Sequence, residues 1–99
     1  MVVITAMATI DVARRDEAAR KGQELVAKTR QEPGCVNYVF YFPPSDPGTV
    51  FFFQQWETQD TFEAHTKAAH TRAFRCELEG WLVKPINTRR FAGESSLVL

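Results

Sequence analysis

The sequence predicts one α+β domain in which four strands and two helices follow one another as βαββαβ, and three observations carry that reading. Alternating side chains mark strands near 2–10, 35–42, 49–57 and 83–91, whereas 14–30 and the segment after 58 carry helical spacing. The breaks between them are turn chemistry: Glu32-Pro33-Gly34, and Pro43-Pro44-Ser45-Asp46-Pro47-Gly48, which cannot continue a ladder. Strands two and three are apolar on both faces, as Phe51-Phe52-Phe53 shows. Together these describe a four-stranded antiparallel sheet with helices on one face, the ferredoxin-like arrangement.

The first strand, Val2 to Ile10, sets Val2, Ile4, Ala6, Ala8 and Ile10 on one face, and Asp11 ends it. A helix from about Arg14 to Arg30 follows, its apolar stripe formed by Ala18, Gly22, Leu25, Val26 and Thr29. On its wet face Asp16–Arg20, Glu17–Lys21 and Glu24–Lys28 place an acid four residues before a base, a supporting order. Proline and glycine at 33 and 34 stop it. In the second strand Val36, Tyr38, Phe40 and Phe42 point one way, and Cys35, Asn37, Val39 and Tyr41 the other. The third, Thr49 to Glu57, divides into Val50, Phe52, Gln54, Trp56 and the intervening residues.

Thr58 or Asp60 can cap the next helix, with Glu63 at capping-box spacing from Asp60. Phe62, Thr66 and Ala69 form one apolar edge, while Phe74, Leu78, Trp81 and Leu82 form another out of phase with it. A kink or break near Lys67 to His70 is therefore expected, with Gly80 marking the helix end. Val83 to Phe91 returns as a strand, and residues 92–99 form a tail ending in an apolar patch. Two helices cover only one sheet face, so the second apolar face calls for another cover. An identical sheet is the simplest, which makes a symmetric homodimer, either tightly packed or retaining a cavity.

Twelve basic and twelve acidic side chains leave no net charge, which disfavours nucleic acid and anionic membrane surfaces as partners. No stretch approaches the length of a membrane span, and the apolar start lacks the charge order of a signal peptide. Cys35 and Cys76 have no metal spacing and read as reduced thiols of a cytoplasmic protein.

Glu32-Pro33-Gly34-Cys35, Tyr38, the proline-rich hairpin, Trp56 closing the third strand, and His65-x4-His70 followed by Phe74 together resemble the antibiotic biosynthesis monooxygenase domain. That resemblance, from Val2 to about Phe91, implies the dimeric α/β-barrel assembly and a chemistry range that includes cofactor-free oxidation of quinols and anthrones. Two positions depart from the pattern: Gln54 replaces a frequent glutamate, and Ala69 replaces a frequent proline. The haem-degrading branch is disfavoured, because the first strand has no asparagine.

On one continuous helix, His65 and His70 would point roughly 140° apart. They lack the spacing of a helical zinc pair, so no metal is expected, and no flavin, haem or nicotinamide motif is present. Histidine as a proton acceptor fits better, beside the alternative that each ring bonds a backbone group. His65 and His70 are thus the candidate catalytic residues, with Trp56, Tyr38, Asn37, Phe52, Phe74 and Gln54 as candidate contacts to an aromatic or quinol substrate that reacts with molecular oxygen. Asn37 and Tyr38 alternate in direction, so both reach one cavity only if a bulge intervenes. A non-catalytic ligand-binding or interaction module of the same fold, and a small-molecule isomerase or signal-degrading enzyme, are the competing readings.

Overall fold

The computed structural model describes residues 1–93; the apolar end of the tail lies outside them. The elements are β1 (Val2–Thr9), α1 (Arg15–Thr29), β2 (Cys35–Tyr41), β3 (Thr49–Trp56), α2 (Gln59–Lys67), α3 (Ala69–Trp81) and β4 (Asn87–Ala92). All pairings are antiparallel, in the order β2-β3-β1-β4. This is the ferredoxin-like sheet with its helices on one side.

Alternation decides which face is buried. Val2, Ile4, Ala6 and Ala8 of β1 stand opposite Trp56, Gln54, Phe52 and Val50 of β3 on the helix-covered face, and all eight are buried. Ala18, Leu78 and Trp81 close one end of that core; Leu25 closes the other, beside Tyr38 and Trp56. At Gly22 a Cβ would stand 2.7 Å from the ring of Phe40, so only glycine lets α1 lie this close to β2.

Several local expectations are corrected. A bulge in β2 pairs Cys35 with Trp56 and Asn37 with Gln55, leaving Val36 as the extra residue. Cys35 therefore packs with the inner cluster beside Tyr38, while Val36 is exposed. The bulge precedes Asn37, so Asn37 keeps the direction opposite to Tyr38 and stands exposed on the outer face. Among the described residues the ion pairs of α1 are Arg14–Glu17, from the residue that precedes the helix, Arg20–Glu24 and Lys21–Glu77; tertiary packing takes Lys21 to α3 instead of to Glu17. Thr58 is the cap of α2, and its reciprocal partner is Thr61, because Asp60 already lies inside the first turn. Gly80 lies within α3, which runs one residue further and ends as Leu82 turns extended to bridge Ile10. β4 begins only after Pro85, at Asn87, and forms an exposed edge.

Candidate active site

The expected break after Lys67 is present, and the site depends on it. Ala68 is extended (φ −64°, ψ 146°), and Arg75 of α3 donates across the interruption to the carbonyl of Thr66 at 2.7 Å. The change of axis brings His65 at the end of α2 and His70 at the start of α3 to 6.2 Å between ring centroids. The wide divergence expected on a continuous helix is thereby removed.

Both rings meet Glu32, which belongs to the helix-ending turn and to the family motif but is not among the candidate site residues read from the sequence. Oε2 of Glu32 lies 2.7 Å from His65 Nδ1 and 2.9 Å from His70 Nε2. Glu32 is held there by the turn after α1: Gly34 adopts φ +81° with its α-carbon against the Thr61 side chain, where a Cβ would collide. Gly34 also accepts from the Glu57 amide at 2.9 Å, which ties the turn to the β3–α2 junction. The available signal was an acid in a turn with no base placed to pair it along a helix; its partners are 33 and 38 residues away, beyond any local pattern.

A cavity of about 310 Å³ lies between the inner sheet face and the helix pair. Ile4, Ala6 and Phe52 form its floor, and Phe74 and Leu78 its wall. The buried polar residues of its lining are His65, Tyr38 and Gln54; Thr66, Thr71, Arg75, Glu79 and Thr88 line its more exposed parts. His65 is only 2% exposed, wedged between Trp56 at 4.8 Å and Tyr38 at 5.4 Å between centroids. Burial disfavours its charged form and holds its pKa below the ordinary 6.5, although the hydrogen bond to Glu32 pulls the other way. An ionised carboxylate can only accept, so Nδ1 carries the proton and Nε2 keeps its lone pair. Nε2 has no hydrogen-bond partner among the described residues.

Trp56 is fully buried behind this lining, so it does not form the flat cavity wall expected of it. Its indole N–H donates to Gln54 Oε1 at 2.8 Å. An indole nitrogen never accepts, so this bond fixes which end of the Gln54 amide is oxygen and leaves its NH₂ as the free end. Burial drives the Tyr38 phenol far above its usual pKa, which keeps it a neutral donor. His70, expected to be catalytic, does not reach the cavity: it lines a separate depression of about 130 Å³ between α1 and α3.

The antibiotic biosynthesis monooxygenase family model matches residues 1–76, which include β1 to β3, the Glu32 turn and both histidines. The chain belongs to that family. Curated relatives at the same level are an uncharacterized protein, sll1783, of Synechocystis sp. and the Bacillus subtilis protein YcnE, whose name assigns it provisionally as a monooxygenase. Both are 23% identical, over 84 and 90 residues, or 85% and 91% of this chain. The chain spans 57% of the Synechocystis protein's length and 95% of YcnE's. A solved structure described as an antibiotic biosynthesis monooxygenase superposes with a TM-score of 0.88, covering 96% of this chain and 100% of its own at 23% identity. Family and relatives support a general monooxygenase-like role; the structural likeness supports the fold.

Among the described residues, Glu32, His65 and His70 are also the group whose donor atoms converge closely enough to suggest a metal, all within 4.8 Å of one another. Spacing along one helix could not foresee this trio. Its distances nevertheless fit protons better. Tetrahedral zinc with ligands at 2.0–2.1 Å spreads its donor atoms to about 3.3 Å apart, whereas one oxygen of Glu32 stands 2.7 and 2.9 Å from the two nitrogens. Those are lengths of charge-assisted N–H···O bonds.

Proposed function

We propose that this chain is a cofactor-independent monooxygenase that oxidises a quinol, an anthrone or a similar polycyclic phenol with molecular oxygen. The observation that carries the reading is the apolar cavity with a buried, carboxylate-oriented imidazole facing it. Such a reaction needs the substrate to supply both electrons, so the protein's work is to desolvate it, orient it and take a phenolic proton. His65 Nε2 is the acceptor for that proton. Tyr38 and the Gln54 amide donate to the oxygen that becomes electron-rich, and Phe52 and Phe74 enclose the ring. The anion then reduces oxygen; one oxygen atom joins a substrate carbon, and the other leaves as water with the two hydrogens the substrate loses. A glutamate at position 54 would accept from Trp56 equally well but would present a second acceptor to the anion. Gln54 is therefore suited to an oxyanion. The cavity volume lies at the lower end of the small-molecule range, which favours two or three fused rings over a larger polycycle.

The homodimer belongs to the same proposal. Thr5, Met7, Phe51 and Phe91 line a depression on the outer sheet face, with Met7 46% and Phe91 53% exposed. An aromatic sheet face of this kind is suited to a second copy. A cytoplasmic setting is consistent with the free thiols Cys35 and Cys76. A purely structural module would fill the space beside His65 with side chains; the open cavity there favours the enzyme.

The test is oxygen uptake by purified protein with reduced menadione-like quinols and a panel of polycyclic phenols. Uptake above the autoxidation rate, lost in His65→Gln, is expected. No excess over the whole panel overturns the proposal.

A further inference from the structure

Resting on this cavity as the substrate site, we propose that Arg75 binds a carboxylate carried by the substrate, so that the preferred polycyclic phenols are aromatic hydroxy acids. His65, Tyr38 and Gln54 serve the buried end of the cavity, where the reacting hydroxyl goes. The more exposed end has a recognition group of its own. Among the described residues that line the cavity, Arg75 is the one permanent cation, and it stands exposed at the rim.

The guanidinium is fastened there. Its Nη2 donates at 2.7 Å to the carbonyl of Thr66, at the interruption between α2 and α3. Its other N–H groups have no acceptor among the described residues, and no carboxylate pairs with it. Glu79, one turn further along α3 and also on the rim, forms no ion pair with it either. Thr71, Arg75 and Glu79 follow one another at four-residue spacing, about 6 Å per step along the helix axis. Thr71 Oγ1 lies 3.2 Å from His65 Nδ1, so Arg75 stands one turn from the base, beside the wall formed by Phe74 and Leu78. Burial is the main cause of the lowered His65 pKa; the positive charge of Arg75 adds to it, so the guanidinium is within electrostatic reach of the imidazole.

An unpaired guanidinium one turn from a base, above an apolar floor, fits a flat molecule with a hydroxyl at one end and an anion toward the other. The planar fork of arginine matches a carboxylate, taking both of its oxygens in parallel N–H···O bonds. Glu79 favours a single negative charge: it repels a dianionic phosphate, whereas one carboxylate neutralises Arg75 and leaves Glu79 in solvent. The contact also fixes which edge of the ring system meets His65, because a neutral fused phenol can enter an apolar cavity either way round. With its charge offset, Arg75 no longer opposes the proton that Nε2 of His65 receives. The hydroxy acid that fits the rim therefore meets the stronger base.

Binding measured under nitrogen separates recognition from oxidation. Purified protein is titrated calorimetrically with 2-naphthol and with the isomeric hydroxy-2-naphthoates. Wild type is expected to bind at least one hydroxynaphthoate about 3- to 10-fold tighter than 2-naphthol, the scale of an arginine–carboxylate pair partly screened by water. Arg75→Gln is expected to bring the two affinities together by weakening the acid and not 2-naphthol. A wild-type preference short of that range for every isomer overturns the proposal, and so does a preference that Arg75→Gln retains. If that variant no longer binds 2-naphthol, Glu79→Gln decides instead. It leaves the Thr66 bond in place and removes the neighbouring negative charge, so the preference for the acid must rise; an unchanged preference overturns the proposal. Oxygen uptake is then measured with the same compounds and with neutral quinols. A carboxylate preference in protein inert toward all of them keeps the anion site and overturns the monooxygenase reading; turnover of neutral quinols without any preference for the acids does the reverse.

Discussion

The two faces of the sheet are built from the same strands and end in different physical states. On the inner face Phe52 is buried beneath α3 and lines the cavity floor; one residue earlier, Phe51 looks outward and is only half-buried. Composition along β3 hardly distinguishes them. What distinguishes them is that α1, α2 and α3 lie on one side only, so the inner residues are ordered by a scaffold and can hold titratable groups in fixed geometry. Among the described residues, the outer aromatics have no such scaffold. Apolar strands thus serve as core on one side and, in the proposed homodimer, as the docking surface on the other.

The largest expected effect breaks that comparison at its centre. Phe52→Ala should cost about 3–5 kcal/mol in chemical denaturation, as large aromatic truncations in cores do. Phe51→Ala should cost markedly less in the monomer while weakening self-association measured by sedimentation. Equal losses in the two variants would show that the outer face is as much core as the inner one. Next in size, Gln54→Glu should weaken binding of a phenolate-like ligand roughly 10- to 100-fold, about 1.5–3 kcal/mol for a hydrogen bond to a charged group. The Trp56 bond should survive, since a carboxylate still accepts it. Fluorescence titration reads both, and unchanged affinity would remove Gln54 from the substrate's donors.

A smaller effect is expected from pH. The His65 pKa is lowered in the folded state, so between that lowered value and 6.5 the unfolded chain binds more protons than the native one. Stability is therefore fully present above pH 6.5 and is lost as pH falls below it, by at most about 1.4 kcal/mol per pH unit. Thermal unfolding across pH 5–8 should show this slope in wild type and in Phe51→Ala, and a shallower one in His65→Gln. Persistence of the slope in His65→Gln would assign it to another group. Smallest of all, Asn37→Ala on the outer face should leave kcat and KM within twofold of wild type, which steady-state oxygen uptake can check.

Much of this architecture is legible in the amino-acid sequence. The strand faces of β1 and β3 follow from alternation, the helix break from the phase change between Thr66 and Phe74, and the turn at Pro33-Gly34 from backbone chemistry. The bulge in β2 is not legible: Val36 looks like any inward valine, and only the pairing of Cys35 and Asn37 across β3 reveals the extra residue. Trp56 illustrates the same limit. Its face was readable, but whether a buried indole borders a cavity or stands behind one depends on depth.

By itself, then, the chain's local chemistry determined the order of elements, the two-sided strands and the histidines as the polar centre. Tertiary structure alone decided that the centre is a triad. Glu32 joins His65 and His70 across separations of 33 and 38 residues, a contact made by the packing of the Gly34 turn against Thr61 and by the change of axis at Ala68. Periodicity reports which side a residue faces because that depends on neighbours in sequence. Which oxygen two rings share depends on neighbours in space.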